Sequence, residues 1–598
     1  MLSKIKQNLP AIVIFVFFVF LYIYTAAPGV YDGDSGEIAV AVNTLGLAHP
    51  TGFPLYMMAS KLFILVMPVG DVAYRLNIFS GILTAASLVF IYYILQNLDN
   101  SSFSSLAASF VLGLGRNTVW SNATTARIYS LSFFLASILL FLFSRWYKER
   151  KIKYLYTYSF IWGLSLGTHA IMLIMLIPIV FMLWEERKNI FKKLSVILKV
   201  ATLAILPMAQ YLYIPFAYAR HGFITWGDIS NINGFLYYIT QREYSGKIFA
   251  NPVSNLGNFL TRLMSLITSE FTIAFFVISA IGLFALYRAN KKMALMFILI
   301  AVTNAGMMYA YGKSGDLVVL FRYIFLIDII IVLFIAQGID VLIDKLGFLK
   351  NGKGVAIFTL IVVSIVIVEF KNAYAYNNRR EIYIFEDFAH NVLTSIEPNS
   401  ILFAADDSLI NSLWYAQSLG QRDDVIVFSA GLLNFDWYIN GEINKHPDIL
   451  DKELLLEKWD SNRIDYIIKR NIEHKKIYTT FTAWGEYSKL NLDFIPVGNI
   501  YQVISGSDKN RENILRKNEA LWDKYILRDL RIDTHKDFTV NQLIRYYARS
   551  LNNIGVTYAN LGDFKQAINF FKKSIDIVPD AETGDNLEKV KNLDNQQL

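Results

Sequence analysis

An apolar run from Ile12 to Tyr24 opens the chain, and similar runs return at intervals as far as Phe370. About 20 mostly apolar residues cross a bilayer. On that measure the pattern predicts spans at roughly 10–27, 76–96, 104–119, 129–146, 155–168, 170–184, 195–217, 269–287, 293–311, 318–343 and 354–371. Residues 54–69 are expected to lie along the membrane surface as an interfacial helix. The short 155–184 pair is expected to enter and return, with His169 near its apex. About eleven passes result, and residues 1–373 form a membrane domain.

Beyond residue 373 the pattern changes to that of mixed, water-compatible sequence. Ser400-Ile401-Leu402-Phe403-Ala404 reads as a short buried strand, Ser408 to Ser418 as a helix and Val425-Ile426-Val427-Phe428 as a second strand. Residues 374–505 are therefore expected to form an α/β domain. A helical C-terminal region, 506–598, follows. In it Asn553-Ile554-Gly555-Val556-Thr557-Tyr558, Leu561-Gly562-Asp563-Phe564, Ala567, Phe571 and Pro579 carry the pattern of one tetratricopeptide-type helix pair. A single repeat cannot bury its own face. It is expected to dock on the preceding helices, with partner binding as the alternative.

Composition agrees with a polytopic membrane protein. Hydrophobic residues make up 54% and charged residues 18%, and the mean hydropathy is +0.38. The apolar share and the mean hydropathy exceed what a soluble chain carries, and the charged share falls below it. The sequence contains no cysteine, which excludes disulfides, thiolate chemistry and Cys-based metal sites. The net charge of +7 needs no nucleic-acid partner, because basic residues gather in short loops between spans. These are Lys4 and Lys6, Arg145 to Lys153, Arg187-Lys188 with Lys192-Lys193, Arg288 with Lys291-Lys292, and Lys345, Lys350 and Lys353. The positive-inside rule puts them in the cytoplasm. The N-terminus is then cytoplasmic and residues 374–598 extracytoplasmic. The first run is long for a signal peptide, and Thr25-Ala26-Ala27 is a weak cleavage site.

The chemistry-bearing feature lies just after the first span. Tyr31-Asp32-Gly33-Asp34-Ser35-Gly36-Glu37 sets three carboxylates beside hydrocarbon, and His49-Pro50-Thr51-Gly52-Phe53-Pro54-Leu55-Tyr56 follows. Carboxylates there are expensive unless solvated, paired or used. On the expected topology the acidic loop, the Asn117–Ile128 loop, the His169 apex and the 218–268 loop all face the outer side, where one cleft would gather them. The plain alternative for Asp32 and Asp34 is an exposed pair capping the next helix. Asp-x-Asp also invites comparison with metal-dependent nucleotide-sugar enzymes. A divalent metal is compatible with this loop but not predicted, and no residue is expected to serve as a metal ligand.

Taken in order, Gly33 to Glu37, His49 to Tyr56, Trp120 to Leu131, Gly167-Thr168-His169 and Trp226-Gly227-Asp228 resemble the transmembrane protein 260 group of GT-C glycosyltransferases, which are protein O-mannosyltransferases. Gln241-Arg242-Glu243-Tyr244, Arg322-Tyr323, Gly420 to Val425 and Trp437-Tyr438 continue the similarity over nearly the whole chain. Two departures stand out. Arg127 occupies a stretch, Ala126 to Tyr129, where family members often carry Glu, and Thr51 replaces a frequent second proline. The first bears on donor or acceptor identity.

The resemblance implies a GT-C fold and an inverting transfer of a monosaccharide, mannose favoured, from a polyprenyl-phosphate carrier to Ser/Thr hydroxyls of exported protein. Such a donor leaves as a stable phosphate, so the protein must supply a base for the acceptor proton and cations for the phosphate. Asp34 is the expected base, with Glu37 sharing that role or orienting the acceptor. Arg242 is the first candidate for the phosphate, followed by His169 and Arg322. Asp32, His49, Tyr129, Trp226, Asp228 and Tyr244 complete the expected substrate-binding set.

Each candidate has a plainer reading. Arg242 can reach lipid headgroups, His169 can be a buried helix-pair residue, His49 can shape the turn before Pro50, Asp228 can cap a helix, and Arg322 can snorkel. The Ile-, Lys-, Asn- and Tyr-rich composition points to an AT-rich microbial genome, hence a plasma membrane and an undecaprenyl-type carrier. The alternatives are a transferase of the same class acting on an envelope lipid or glycan, a transporter or flippase, and a repeat-bearing membrane scaffold. A transporter is expected to show repeated halves with broken helices and midplane charges, which this sequence does not display.

Overall fold

The computed structural model describes residues 2–190, 194–247, 255–311, 321–345, 352–458, 460–486, 488–506, 510–528, 530 and 537–597. Lys192, Lys193 and Lys350, used above for orientation, and the start of the expected 318–343 span lie outside the described residues. The chain divides into two units. One comprises Met1–Pro28, Leu47–Gly222 and Asp228–Glu381, and the other Gly29–Gly46, Phe223–Gly227 and Ile382–Leu598.

The first unit is helical and built for lipid. Among the described residues seven helices are long and apolar enough to cross a membrane: Asn8–Thr25, Val72–Asn97, Tyr129–Glu149, Leu194–Ala219, Lys291–Tyr311, Phe325–Lys345 and Thr359–Asn377. Leu256–Glu270 and Ile273–Ala289, bent by 103° at their junction, make an eighth if counted together. The remaining three of the eleven expected segments fold as Ser102–Gly113, Ile152–Ser165 and Ala170–Glu185. A helix of 14 residues extends only ~21 Å, short of a ~30 Å hydrocarbon core. Hydropathy registers such segments as spans, whereas their length does not let each one cross alone. Pro54–Val66 is a 13-residue helix with Leu62, Leu65 and Val66 exposed, as an interfacial helix requires.

Small residues and buried polar bonds fasten these helices. Ile273–Ala289 packs along Phe325–Lys345 where Gly282 faces the Phe334 carbonyl and Gly338 faces the Ile278 carbonyl, so any added Cβ would strike backbone. The Tyr22 hydroxyl donates to the Gly113 carbonyl at 2.7 Å, and the Trp120 indole N–H donates to Thr25 Oγ1 at 2.9 Å. Buried Arg379 donates to the Ser121 carbonyl and Thr124 Oγ1, each at 2.8 Å. Glu270, at the bend, accepts the Asn117 and Thr118 amides at 2.6 and 3.2 Å. These bonds fix the loop ahead of Tyr129.

The second unit holds a five-stranded sheet, β1 (Ile401–Ala404), β2 (Ile426–Ser429), β3 (Ile477–Thr479), β4 (Leu492–Val497) and β5 (Ile500–Ser505), in the order β2-β1-β3-β5-β4. β1 pairs in parallel with β2, Ile401 opposite Ile426, and with β3, Ile401 opposite Ile477. β5 runs antiparallel to β3 and β4. All four residues of β1 are buried, as expected of a central strand covered on both faces. The helix Asp407–Ser418 connects β1 to β2.

Helices Phe538–Asn560 and Phe564–Ile577 form the tetratricopeptide-type pair, and Ala581–Gln597 follows. Gly555 leaves room for the Phe571 ring. The first of these helices is tied to the sheet region. The Tyr546 hydroxyl donates to the Thr480 carbonyl at 2.7 Å, and Asn553 Nδ2 donates to the Tyr501 hydroxyl at 2.6 Å.

Candidate functional site

The acidic segment is part of the second unit. Gly33 sits at φ 61° and begins the helix Asp34–Thr44, with no side-chain capping bond. The N-cap position of this helix is Gly33 itself, between Asp32 and Asp34. Asp34 and Glu37 occupy the first turn, where the helix dipole favours negative charge. Asp34 is partly exposed, whereas Glu37 is only 3% exposed. One carboxylate can meet a substrate and the other is enclosed by protein.

Side chains of the α/β region hold this segment. Ser408 Oγ accepts the Gly33 amide at 3.3 Å and donates to Asp32 Oδ1 at 3.2 Å. Asn411 Nδ2 donates to the Gly33 carbonyl at 3.1 Å. The Val30 amide donates to Glu386 Oε1 at 3.2 Å, and the Tyr31 and Phe385 rings lie 5.1 Å apart. Within the segment the Tyr31 amide donates to Ser35 Oγ at 3.3 Å. Ser408, Asn411 and Glu386 were invisible as partners in the sequence, being more than 350 positions from the groups they bind.

In the first unit the structure brings His49, Tyr129 and His169 into one aromatic cluster. The His49 ring lies 4.9 Å from that of Phe53, which stacks near His169 at 6.5 Å. Tyr129 and Tyr323 flank His169 at 5.7 and 5.2 Å. The Tyr129 hydroxyl donates to that of Tyr323 at 3.0 Å. His169 Nδ1 accepts the Ile171 amide at 3.1 Å. In the neutral ring that bond leaves the proton on Nε2, making it a hydrogen-bond donor. Tyr238 closes the cluster's flank by donating to the Ala48 carbonyl. Phe53 and Tyr323 entered the sequence argument only as motif neighbours, and nothing in their spacing announced the shared cluster.

The remaining candidates are dispersed. Arg322 is 8% exposed, directly before Tyr323. Arg242 is exposed on the short turn Arg242–Lys247, which also carries Tyr244. Among the described residues Arg242 forms no hydrogen bond or ring contact with the cluster. Asp228 accepts the Ser230 amide at 3.0 Å and the Tyr218 hydroxyl at 3.2 Å, and Ser230 holds its pKa below the ordinary value. The next helix, Ile232–Ile239, is capped by Asn231 instead. Trp226 belongs to the second unit and packs 5.3 Å from Trp437. Arg127, the family departure, is buried, with its Nε–H on Thr125 Oγ1 at 3.0 Å.

Residues 34–191 match the family described as protein O-mannosyl-transferase TMEM260 N-terminal domain, and residues 385–550 match TMEM260-associated domain 2. In both regions the chain is similar to TMEM260 proteins. Residues 548–580 of this TMEM260-like chain match the tetratricopeptide repeat. Protein O-mannosyl-transferase TMEM260 of Mus musculus is 26% identical over 428 residues, covering 68% of this chain and 60% of the mouse protein. The corresponding protein of Dictyostelium discoideum is 21% identical over 491 residues, covering 72% of this chain and 58% of its own length. The chain thus spans about three fifths of the curated relatives it matches. In fold it is similar to ArnT from Cupriavidus metallidurans, crystallised with undecaprenyl phosphate, at a TM-score of 0.53 and 11% identity. That likeness covers 84% of this chain and 99% of ArnT.

Proposed function

We propose that this TMEM260-like chain is an inverting glycosyltransferase of the plasma membrane. It moves a monosaccharide, mannose by preference, from a polyprenyl-phosphate carrier to Ser/Thr hydroxyls of exported protein at the extracytoplasmic face. The observation that carries the reading is the pair Asp34 and Glu37 in one helical turn, on a segment clamped by Ser408, Asn411 and Glu386. The sequence relatives named O-mannosyl-transferases support it, as does the likeness to a fold crystallised with a polyprenyl phosphate.

In the proposed reaction the acceptor oxygen attacks the anomeric carbon from the face opposite the phosphate. The hydroxyl proton passes to the Asp34 carboxylate as the new C–O bond forms. The old C–O bond breaks with its electron pair on the phosphate oxygen, and polyprenyl phosphate departs. No general acid is required, because the leaving group is already a stable anion. Arg242 and Arg322 supply positive charge for that phosphate, and His169 offers an N–H donor. Glu37, enclosed, orients the first turn or shares the proton. The tyrosines and Trp226 offer faces for sugar stacking.

The test is transfer from synthetic polyprenyl-phosphate mannose to a Ser/Thr peptide by purified protein, wild type beside Asp34→Asn. Wild type should transfer, and a folded Asp34→Asn should lose about 100- to 10,000-fold in kcat. Undiminished transfer by Asp34→Asn would refute the base assignment. No transfer by wild type with mannose, glucose or galactose donors, to peptide or lipid acceptors, would refute the reaction class.

A further inference from the structure

We infer that Ser408 and Asn411, on the α/β-domain helix Asp407–Ser418, are positioning residues for the acidic segment. They make that domain part of the machinery that aims Asp34. The inference rests on the proposed role of Asp34 as base.

The clamp is unusually complete for so short a segment. Gly33, at φ 61°, turns the backbone into the helix that begins at Asp34. Both of its polar backbone groups are engaged from one helix face, the amide by Ser408 Oγ and the carbonyl by Asn411 Nδ2. Ser408 and Asn411 are three positions apart, the spacing that places side chains side by side on a helix. The Ser408 hydroxyl uses both of its capacities, accepting from Gly33 and donating to Asp32 Oδ1. Asn411 is buried, so water competes little for its bond.

A third contact fixes the distance. A Cβ built on Gly36 would stand 2.6 Å from the Asn411 carbonyl oxygen, so the two helices meet here because position 36 has no side chain. Asp34 lies between Gly33 and Gly36, the two points at which helix Asp407–Ser418 grips. A base acts only within hydrogen-bond reach of its proton, about 2.6–3.2 Å. Misplacement by about 1 Å costs on the order of 100-fold in rate. Loosening the clamp should therefore reduce the chemical step while leaving donor capture alone.

The experiment compares full-length wild type, Asp34→Asn, Ser408→Ala, Ser408→Thr and Asn411→Ala in mannose transfer from polyprenyl-phosphate mannose to a Ser/Thr peptide. It reads kcat, both KM values and Tm. Ser408→Ala and Asn411→Ala should each lower kcat by about 10- to 100-fold, with donor KM within about twofold of wild type and Tm lower by only about 2–4 °C per bond lost. Ser408→Thr, which keeps the hydroxyl, should recover most of the lost kcat. If Ser408→Ala and Asn411→Ala both turn over like wild type while Asp34→Asn is inactive, the positioning role fails and the base assignment stands. A kcat loss that tracks a fallen Tm and is not recovered by Ser408→Thr would overturn it as well, leaving a role in folding alone. An active Asp34→Asn, or an inactive wild type, would remove the base assignment and this inference with it.

Discussion

Asn391→Ala tests whether the tetratricopeptide-type tail is a packing element of the α/β unit. Asn391 lies in the helix Ile384–Ser395 with no exposed surface. Its Nδ2 donates to the Ile526 carbonyl and to the Tyr547 hydroxyl, each at 2.9 Å, and its Oδ1 accepts the Ile526 amide at 2.9 Å. One side chain thus joins the helix before the sheet, the segment after it and the first helix of the repeat pair. Alanine removes all three bonds and leaves the Tyr547 hydroxyl short of a partner in a fully buried position. Each bond contributes about 1 kcal/mol net, and more where a buried group is stranded. The loss should be about 3 kcal/mol, a large share of the ~5–15 kcal/mol that holds a typical domain. For a unit of this size each kcal/mol moves Tm by about 2–4 °C, so Tm should fall by about 6–12 °C. Differential scanning fluorimetry of the detergent-purified full chain measures this. Limited proteolysis should show earlier cleavage around residues 526–547. A Tm for Asn391→Ala within about 1 °C of wild type would refute the argument and with it the packing role of the tail.

Two further outcomes follow from the geometry. The Arg422 guanidinium donates to both oxygens of Asp424 at 2.8 and 2.9 Å and holds its pKa down at about 2. A depressed carboxylate stabilises the fold above its unfolded pKa of about 3.9, and that contribution is lost as pH falls from about 4 to about 2. Because both side chains are about one third exposed, it should amount to no more than about 1 kcal/mol. The Tm gap between wild type and Asp424→Asn should therefore be a few degrees at pH 6 and close towards pH 2.5, and a gap that ignores pH would contradict the pairing. Gly282→Leu should force Ile273–Ala289 away from Phe325–Lys345, costing about 1–3 kcal/mol. A thermal scan unchanged from wild type would show that the glycine contact does not set the spacing of that pair.

What could be read from the chain and what could not divide along physical lines. Hydropathy is a local property, so the change from lipid-suited to water-suited sequence near Phe370 was legible. Strand pattern is local too, and Ser400–Ala404 and Val425–Phe428 lie on β1 and β2. β3 to β5 were not recognised, because short strands that alternate poorly resemble loop. Hydropathy also cannot separate a full crossing from a 12-residue apolar helix such as Ser102–Gly113. The acidic cluster was conspicuous through its cost beside hydrocarbon. Its supports were not, since Ser408 and Asn411 look like ordinary polar residues of an amphipathic helix. His49, Tyr129 and His169 stand out separately in the sequence, by motif position, and only tertiary packing reveals that Phe53 and Tyr323 join them.

The clamp on Gly33 also imposes a timetable on biogenesis. Its two bonds join residues 375 and 378 positions apart, so the acidic segment leaves the ribosome long before the side chains that fix it. At about 5–20 residues per second the wait is roughly 20–75 s. Throughout that interval the first spans can already be settling in lipid while Asp32, Asp34 and Glu37 lack their scaffold. A chain that ends before Asp407 carries the acidic segment without Ser408 and Asn411, the two side chains that hold Gly33.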